Sequence, residues 1–472
     1  MAIAQVTPDD LTSLKDGIYA ATTAGNTAWI LASTALVLFM TPGLAFFYGG
    51  MSRSKSVLNM LMMSFSSIGI VSVLWVIYGY SLTFGPDQGG LIGNFDYRGL
   101  HGISTSDTFN LLDIVFVSFQ MMFAVITLAL ISGAIADRMK FGSWVVFSVL
   151  WATLVYFPVA HWVFAFGSVA SEDDLASGNV GNGAASLFTK DTGGWIVNKL
   201  GALDFAGGTA VHINAGAAAL ALVLVIGKRK GFGSDHMRPH NLPLVMIGTG
   251  ILWFGWFGFN AGSALGASSL SGLAFVNTQV ATAAAMLGWL VVERLRDGHA
   301  TTLGAASGAV AGLVAITPSC GAVTPVGAII LGALAGAICA VAVTLKSKLG
   351  YDDALDVVGV HLVGGLAGTL LIGFLASDTS TGSADLRGLL YGGGGSLLGK
   401  QAVAAGAVLA YSFVVTFILG TIIKLTIGIR VSEEDEVNGI DQAEHAETAY
   451  EFGGIGGGAG SSLAASGARV DA

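Results

Sequence analysis

Apolar residues fall along this chain in long blocks separated by short polar or glycine-rich breaks. The blocks centre on 27–49, 57–80, 110–133, 144–166, 205–227, 242–263, 273–294, 301–316, 323–345, 355–376 and 401–428. Each is near the ~20 residues that an α-helix needs to cross a bilayer, the eighth being the shortest. Transmembrane β-strands would be only ~10 residues long and would alternate in polarity, which these runs do not. The pattern predicts an all-α polytopic membrane protein with eleven transmembrane helices. It divides the chain into an outer N-terminal segment (1–26), a membrane domain (27–429) and a polar C-terminal tail (430–472).

Basic residues set the expected orientation. Arg53 and Lys55 follow the first run, and Arg138 and Lys140 the third. Lys228, Arg229, Lys230 and Arg238 follow the fifth, Arg294 and Arg296 the seventh, and Lys346 and Lys348 the ninth. Loops on the other side carry few, apart from Arg98, Lys190, Lys199, Arg387 and Lys400 in longer segments. Lysine and arginine concentrate in cytoplasmic loops, so the N-terminus is expected outside and the tail in the cytoplasm of a plasma-membrane protein.

Composition agrees with this reading. The 472 residues are 53% hydrophobic and 11% charged, where a soluble domain has about 25% charged residues. The 68 glycines suit helices that approach through small residues. The net charge of −9 lies largely in the N-terminus, one long loop and the tail, and says little about partners. Cys320 and Cys339 give neither a disulfide framework nor metal-ligand spacing. "MAIAQVTPDDLTSLKD" has no basic region followed by an apolar one, so no cleaved signal peptide is expected.

Polar residues inside the apolar runs narrow the function. "LDFAGGTAVHINAG" in the fifth run holds Asp204 and His212, and "LDVVGVHLVGG" in the tenth holds Asp356 and His361. The tenth run comes five places after the fifth, so the two segments run in opposite directions. This is the pattern of an inverted repeat with a site near the midplane, here two five-helix halves plus a final helix. An ionisable residue within a span faces a pore, a cavity or a partner. Two histidines at matching positions read better as a facing pair than as two separate structural rings. In a dry site neutral rings are expected, since burial disfavours charge and adjacent cations repel. One ring can then donate to the other. Asp204 and Asp356 read first as acids capping helix starts, with direct contact to a cation as the alternative.

Aromatic motifs add candidates. "GWFGFNAGS" offers Trp256, Phe259, Asn260 and Ser263, "FQMMFAVIT" offers Phe123, and "AHWVFAFG" offers Trp162 and Phe164. An aromatic face beside a hydroxyl can hold a small cation. An interfacial aromatic belt, to which Tyr48 is also assigned, remains the alternative.

Taken together, these motifs resemble the ammonium transporter family (Amt/MEP/Rh), closest to its bacterial Amt branch. The similar segments include "FYGGMSRSKSVLNM", "ALDFAGGTAVHINAG", "PHNLPLVMIGTGILWFGWFGFNAGS", "GAVAGLVAITPSCG" and "DVVGVHLVGG", within about 27–450. The resemblance implies an ammonium channel, assembled as a homotrimer with one pore per subunit. It implies that Phe123 and Phe259 gate an outer vestibule, Ser263 contacts recruited ammonium and Trp256 lines the path. His212 and His361 would be the twin histidines of the pore, and Asp204 would organise the recruitment site. The family usually has tryptophan where this chain has Phe164. Phenylalanine is the weaker cation–π partner, so recruitment is expected to be weaker, or shared by Trp162.

The tail "VSEEDEVNGIDQAEHAETAYEF" reads by composition as a solvated charged segment. The resemblance implies instead an ordered tail that packs under the bundle and offers a dock for a PII-type regulator. The Gly/Ala/Ser-rich end after about 453 is expected to be disordered. An ammonium sensor with little net flux is the alternative function. A metalloenzyme built on the histidines is disfavoured, because no clear third inward ligand and no HExxH pair is present. No cofactor, metal or nucleic-acid partner is expected.

Overall fold

The computed structural model describes residues 7–450, apart from 104–106, 109–110, 169–170, 178, 180–188 and 235–236. Ten helices among the described residues are long and apolar enough to cross a membrane. They are α1 (Pro8–Met51), α2 (Val57–Phe84), α3 (Asp113–Ile135), α4 (Phe141–Phe164), α5 (Gly208–Ile226), α6 (Leu242–Gly262), α7 (Ser269–Asp297), α9 (Pro325–Leu349), α10 (Val358–Leu375) and α11 (Ser396–Thr426). The shorter α8 (Thr302–Ile316) has 15 residues, about 22 Å of helix, where the hydrocarbon core is about 30 Å thick. Nearly all of α8 is buried, so it is sheltered by protein rather than by lipid.

α1 departs from the expected boundary at residue 27. It is one helix of 44 residues, about 66 Å long. Its start is fixed by a reciprocal cap in which Asp10 N–H donates to the Thr7 hydroxyl and Thr7 N–H to the Asp10 carboxylate. Hydropathy marks where a helix can meet lipid, not where it begins. Tyr48 also differs from expectation: it is 1% exposed, and its hydroxyl donates to the Leu130 carbonyl at 3.0 Å inside the bundle.

α1 packs along α6, α7 along α8 and α9, and α5 along α11. At the centre, α5 and α10 cross so that the first turn of each lies against the body of the other, as in an antiparallel pair. A Cβ on Gly216 would sit 2.5 Å from the Leu362 backbone, and one on Gly365 would sit 3.1 Å from the His212 Cβ. Small residues at these points allow the two helices to touch.

At the basic end of the bundle, ion pairs replace solvation. Arg229 donates to Asp352 through Nε at 3.0 Å and Nη2 at 2.8 Å, and to Asp137 through Nη1 at 3.0 Å. Arg53 lies 3.4 Å from the same Asp137 carboxylate. Arg138, fully buried, donates to the carbonyls of Gly227, Ala136 and Asp352.

The tail, to Tyr450, is docked on this end through α12 (Glu433–Asn438) and α13 (Ile440–His445). Its acids close open helix starts. Leu58 and Asn59 N–H, in the first turn of α2, donate to Asp441 at 3.0 and 2.8 Å. Phe141 N–H, at the start of α4, donates to Glu444 at 2.8 Å. Each carboxylate therefore meets the unsatisfied donors and the positive end of a helix dipole. The expectation of disorder after 453 falls outside the described residues.

Candidate functional site

His212 and His361 both sit in widened π-helical turns that open their helices, at Gly208–Ile213 and Val358–Leu362. Such turns recur at functional sites because they redirect a side chain out of regular register. The rings face each other with Nδ1 to Nδ1 at 3.3 Å and an interplanar angle of 25°. Only one Nδ1 carries the shared proton. In neutral rings that leaves one Nε2 as a donor and the other as an acceptor. His212 Nε2 is buried without a hydrogen-bond partner among the described residues. Both rings border a narrow cavity of about 10 Å³, which also touches Met40, Leu44, Leu130 and Trp256. That is at the lower limit for one water-sized molecule. An orphaned polar edge in such a space suits a small passing ligand rather than bulk water.

Trp256 stacks on His212 at 5.4 Å and is held by its indole N–H, which donates to the Thr317 hydroxyl at 2.8 Å. Phe259, one turn on, stacks on Phe123 at 4.1 Å with an angle of 17°. Phe259 borders the narrow cavity and Phe123 a wider one of about 460 Å³. The stacked pair thus divides the two. Phe164 lines the wider cavity with its ring 6.3 Å from Phe123. Ser263, Asp204 and Gln120 line it too. The Ser263 hydroxyl donates to the Phe259 carbonyl at 2.8 Å, which leaves its oxygen able to accept from a ligand N–H.

Asp204 is saturated by its own chain. Gly207 and Gly208 N–H donate to Oδ1 at 2.7 and 2.6 Å, and Thr209 and Ala210 N–H to Oδ2 at 2.8 and 3.2 Å. The Thr209 hydroxyl donates to Oδ2 as well. It caps the start of α5 and leaves a fixed negative charge at the wall of the wide cavity. Asp204→Ala orphans these donors at once and is expected to cost about 2 kcal/mol or more, with Asp204→Asn costing less. Thermal unfolding in detergent checks this, and equal midpoints for the intact protein and Asp204→Ala would contradict it.

Three placements differ from the sequence reading. Trp162 is turned away from the wide cavity: its indole donates to the Leu91 carbonyl at 2.8 Å and packs on Trp195 and Tyr411. Asp356 does not cap α10. It pairs with Lys346 at 2.6 Å, with φ at +64°. The capping acid is Asp353, which accepts from Val357 and Val358 N–H at 3.1 and 2.7 Å. Burial pushes its carboxyl up, against the pull of Lys346. The signal was spacing: Asp204 precedes His212 by eight residues, and Asp353 precedes His361 by eight. Thr317, which orients Trp256, and Pro318, which lines the wide cavity, were also missed as site residues. Both lie in the "ITPSCG" turn after α8.

The profile of the Ammonium Transporter Family matches residues 28–450. The chain is 58% identical to an ammonium transporter of Mycobacterium tuberculosis over 450 residues, covering 91% of this chain and 90% of that one. It is 47% identical to an ammonium transporter of Bacillus subtilis over 434 residues, covering 90% and 98%. Among solved structures, a sensor Amt protein aligns with a TM-score of 0.79 at 29% identity, covering 90% and 99%. Candida albicans Mep2 aligns with a TM-score of 0.76 at 34% identity, covering 87% of each chain.

Proposed function

This chain belongs to the ammonium transporter family, and we propose on that premise that it recruits ammonium in the wide cavity and conducts ammonia past the paired histidines. The observation that carries this reading is the Phe123–Phe259 stack. It separates a cavity bearing Asp204 and Ser263 from a 10 Å³ space edged by His212 and His361.

The wide cavity suits a cation and the narrow one does not. Moving an unpaired ion into an apolar medium costs tens of kcal/mol by Born estimates, far more than a neutral amine costs. Ammonium therefore gives up its proton to water in the wide, open cavity before the narrow section, and ammonia enters neutral. The aromatic faces of Phe123 and Phe164 and the Ser263 oxygen select it outside. Potassium can meet the rings but has no N–H to donate to Ser263. Phe164 makes this recruitment weaker than a tryptophan would. Ammonia then donates to one imidazole and accepts from the other. A proton relayed along the same pair makes transport electrogenic.

The wide cavity faces outward and the tail lies in the cytoplasm, an orientation supported by the basic loops at the tail end. The short α8, continued by its turn, serves as the eleventh crossing. The protein works as a homotrimer in the plasma membrane, one pore per copy, and its docked tail offers a surface to a PII-type regulator. Ammonium uptake into proteoliposomes tests the reading. Uptake well above that of empty vesicles is expected. No uptake by the folded protein would remove transport and leave the sensing alternative.

A further inference from the structure

The stretch of chain that leads into α5 is irregular. Residues 201–207 are not helical, and two of its glycines are left-handed, Gly201 at φ +69° and Gly207 at φ +115°. Leu203, Asp204 and Phe205 of this stretch line the wide cavity. Backbone that leaves its helix inside a membrane domain needs partners from elsewhere for its N–H and C=O groups. The hydrogen bonds to the Asp204 carboxylate come from residues 207–210. They tie the acid to α5, but they do not hold the chain that precedes it.

That part is held by Gln401 of α11, which is fully buried. Leu203 N–H donates to Gln401 Oε1 at 2.7 Å, and Gln401 Nε2 donates back to the Leu203 carbonyl at 2.7 Å. One amide thus meets both backbone groups of one residue, as a paired strand would. Nε2 also donates to the Thr369 carbonyl of α10 at 3.3 Å. On the other side of Asp204, Phe205 N–H donates to the Pro318 carbonyl at 3.1 Å. Gln401 and Pro318 therefore bracket the acid. Pro318 contributes its main chain, whereas the Gln401 clasp is a side chain that substitution removes.

We propose that Gln401 is a positioning residue for ammonium recruitment. It fixes the 203–205 wall, and with it the place of the Asp204 charge relative to the Ser263 oxygen in the same cavity. Gln401 is not part of the cavity lining, so it acts through Leu203. A site already ordered binds more tightly than one that must be ordered on binding. A wall released from α11 loses that advantage in recruitment. The narrow cavity is spared, because none of its lining belongs to residues 201–207. This inference rests on the ammonium reading of the wide cavity.

Ser412 supplies the comparison. It is equally buried on the same helix, and its hydroxyl donates to the Asn214 carbonyl at 2.7 Å, beyond His212 and away from the wall. Gln401→Met keeps the length of the side chain and removes the amide. In proteoliposomes it is expected to raise the half-saturating ammonium concentration about tenfold, with the maximal rate within about twofold of the intact protein. Ser412→Ala is expected to leave half-saturation unchanged. Hydrogen–deuterium exchange of the peptide containing Leu203 is expected to quicken in Gln401→Met and not in Ser412→Ala. An unchanged half-saturation in Gln401→Met would overturn the proposal. So would an equal rise in Ser412→Ala, or a loss confined to the maximal rate, since either marks a general packing role for α11. Gln401→Asn keeps the amide but withdraws it by one methylene. If Gln401→Met does not fold, this variant decides: a raised half-saturation supports the proposal and an intact value overturns it. No uptake by the intact protein would remove the transport reading and this role with it, whereas unchanged half-saturation in a transporting protein removes only the role of Gln401.

Discussion

Asp137→Asn is expected to destabilise the protein by about 3–5 kcal/mol, the range seen when one member of a buried ion pair is removed. Asp137 is 1% exposed and faces both Arg229 and Arg53. Arg229 is itself buried and keeps only Asp352 in the variant. A guanidinium left short of a partner in that space has no water to replace it. Burial alone would push the Asp137 carboxyl up, but Arg229 and then Arg53 hold it below the usual carboxylate range. A carboxyl depressed in the folded state contributes stability that is present above its unfolded value, near pH 4, and lost as pH falls through the folded value. The intact protein should therefore lose stability below about pH 4, and the variant should lose less over the same window. In detergent, a midpoint lowered by roughly 5 °C at pH 7 is expected. An unchanged midpoint would show that the network is not under load.

Replacing both His212 and His361 with alanine is expected to reduce ammonium uptake by roughly 30-fold. The estimate follows from two hydrogen bonds of about 1 kcal/mol each to a molecule in transit, at a tenfold change per 1.4 kcal/mol. The loss should fall on the maximal rate. The wide cavity, the proposed place of recruitment, lies beyond the Phe123–Phe259 stack, so half-saturation should change little. A single replacement leaves one ring with its polar edges and should cost less than the pair.

The sequence is legible wherever a single pattern decides the outcome. Apolar run length marked the membrane helices, and the eighth run, the shortest, is the helix of only 15 residues. The histidines were paired because an imidazole in an apolar run has few uses and the two sit at matching positions, and their rings do face each other. Asp356 was misread because the repeated Leu-Asp pair drew the alignment. The cap is set by distance to the helix start, and Asp353 has the same spacing to His361 as Asp204 to His212. Trp162 was misread because a helix puts neighbouring residues on different faces, and Phe164, not Trp162, faces the cavity. The tail looks solvated by composition. Its acids are matched to helix starts some 380 and 300 residues away, a pairing that no local pattern contains. α1 ran on past its apolar block because its first turn is closed by Thr7 and Asp10.

The most direct test of the pore is ammonium uptake by the intact protein and by the His212→Ala/His361→Ala variant, measured side by side in proteoliposomes at matched protein content. The account predicts strong uptake by the intact protein and a maximal rate about 30-fold lower in the variant, with little change in half-saturation. Equal rates for the two proteins would contradict it, since ammonia would then be crossing by a path that does not pass the histidines.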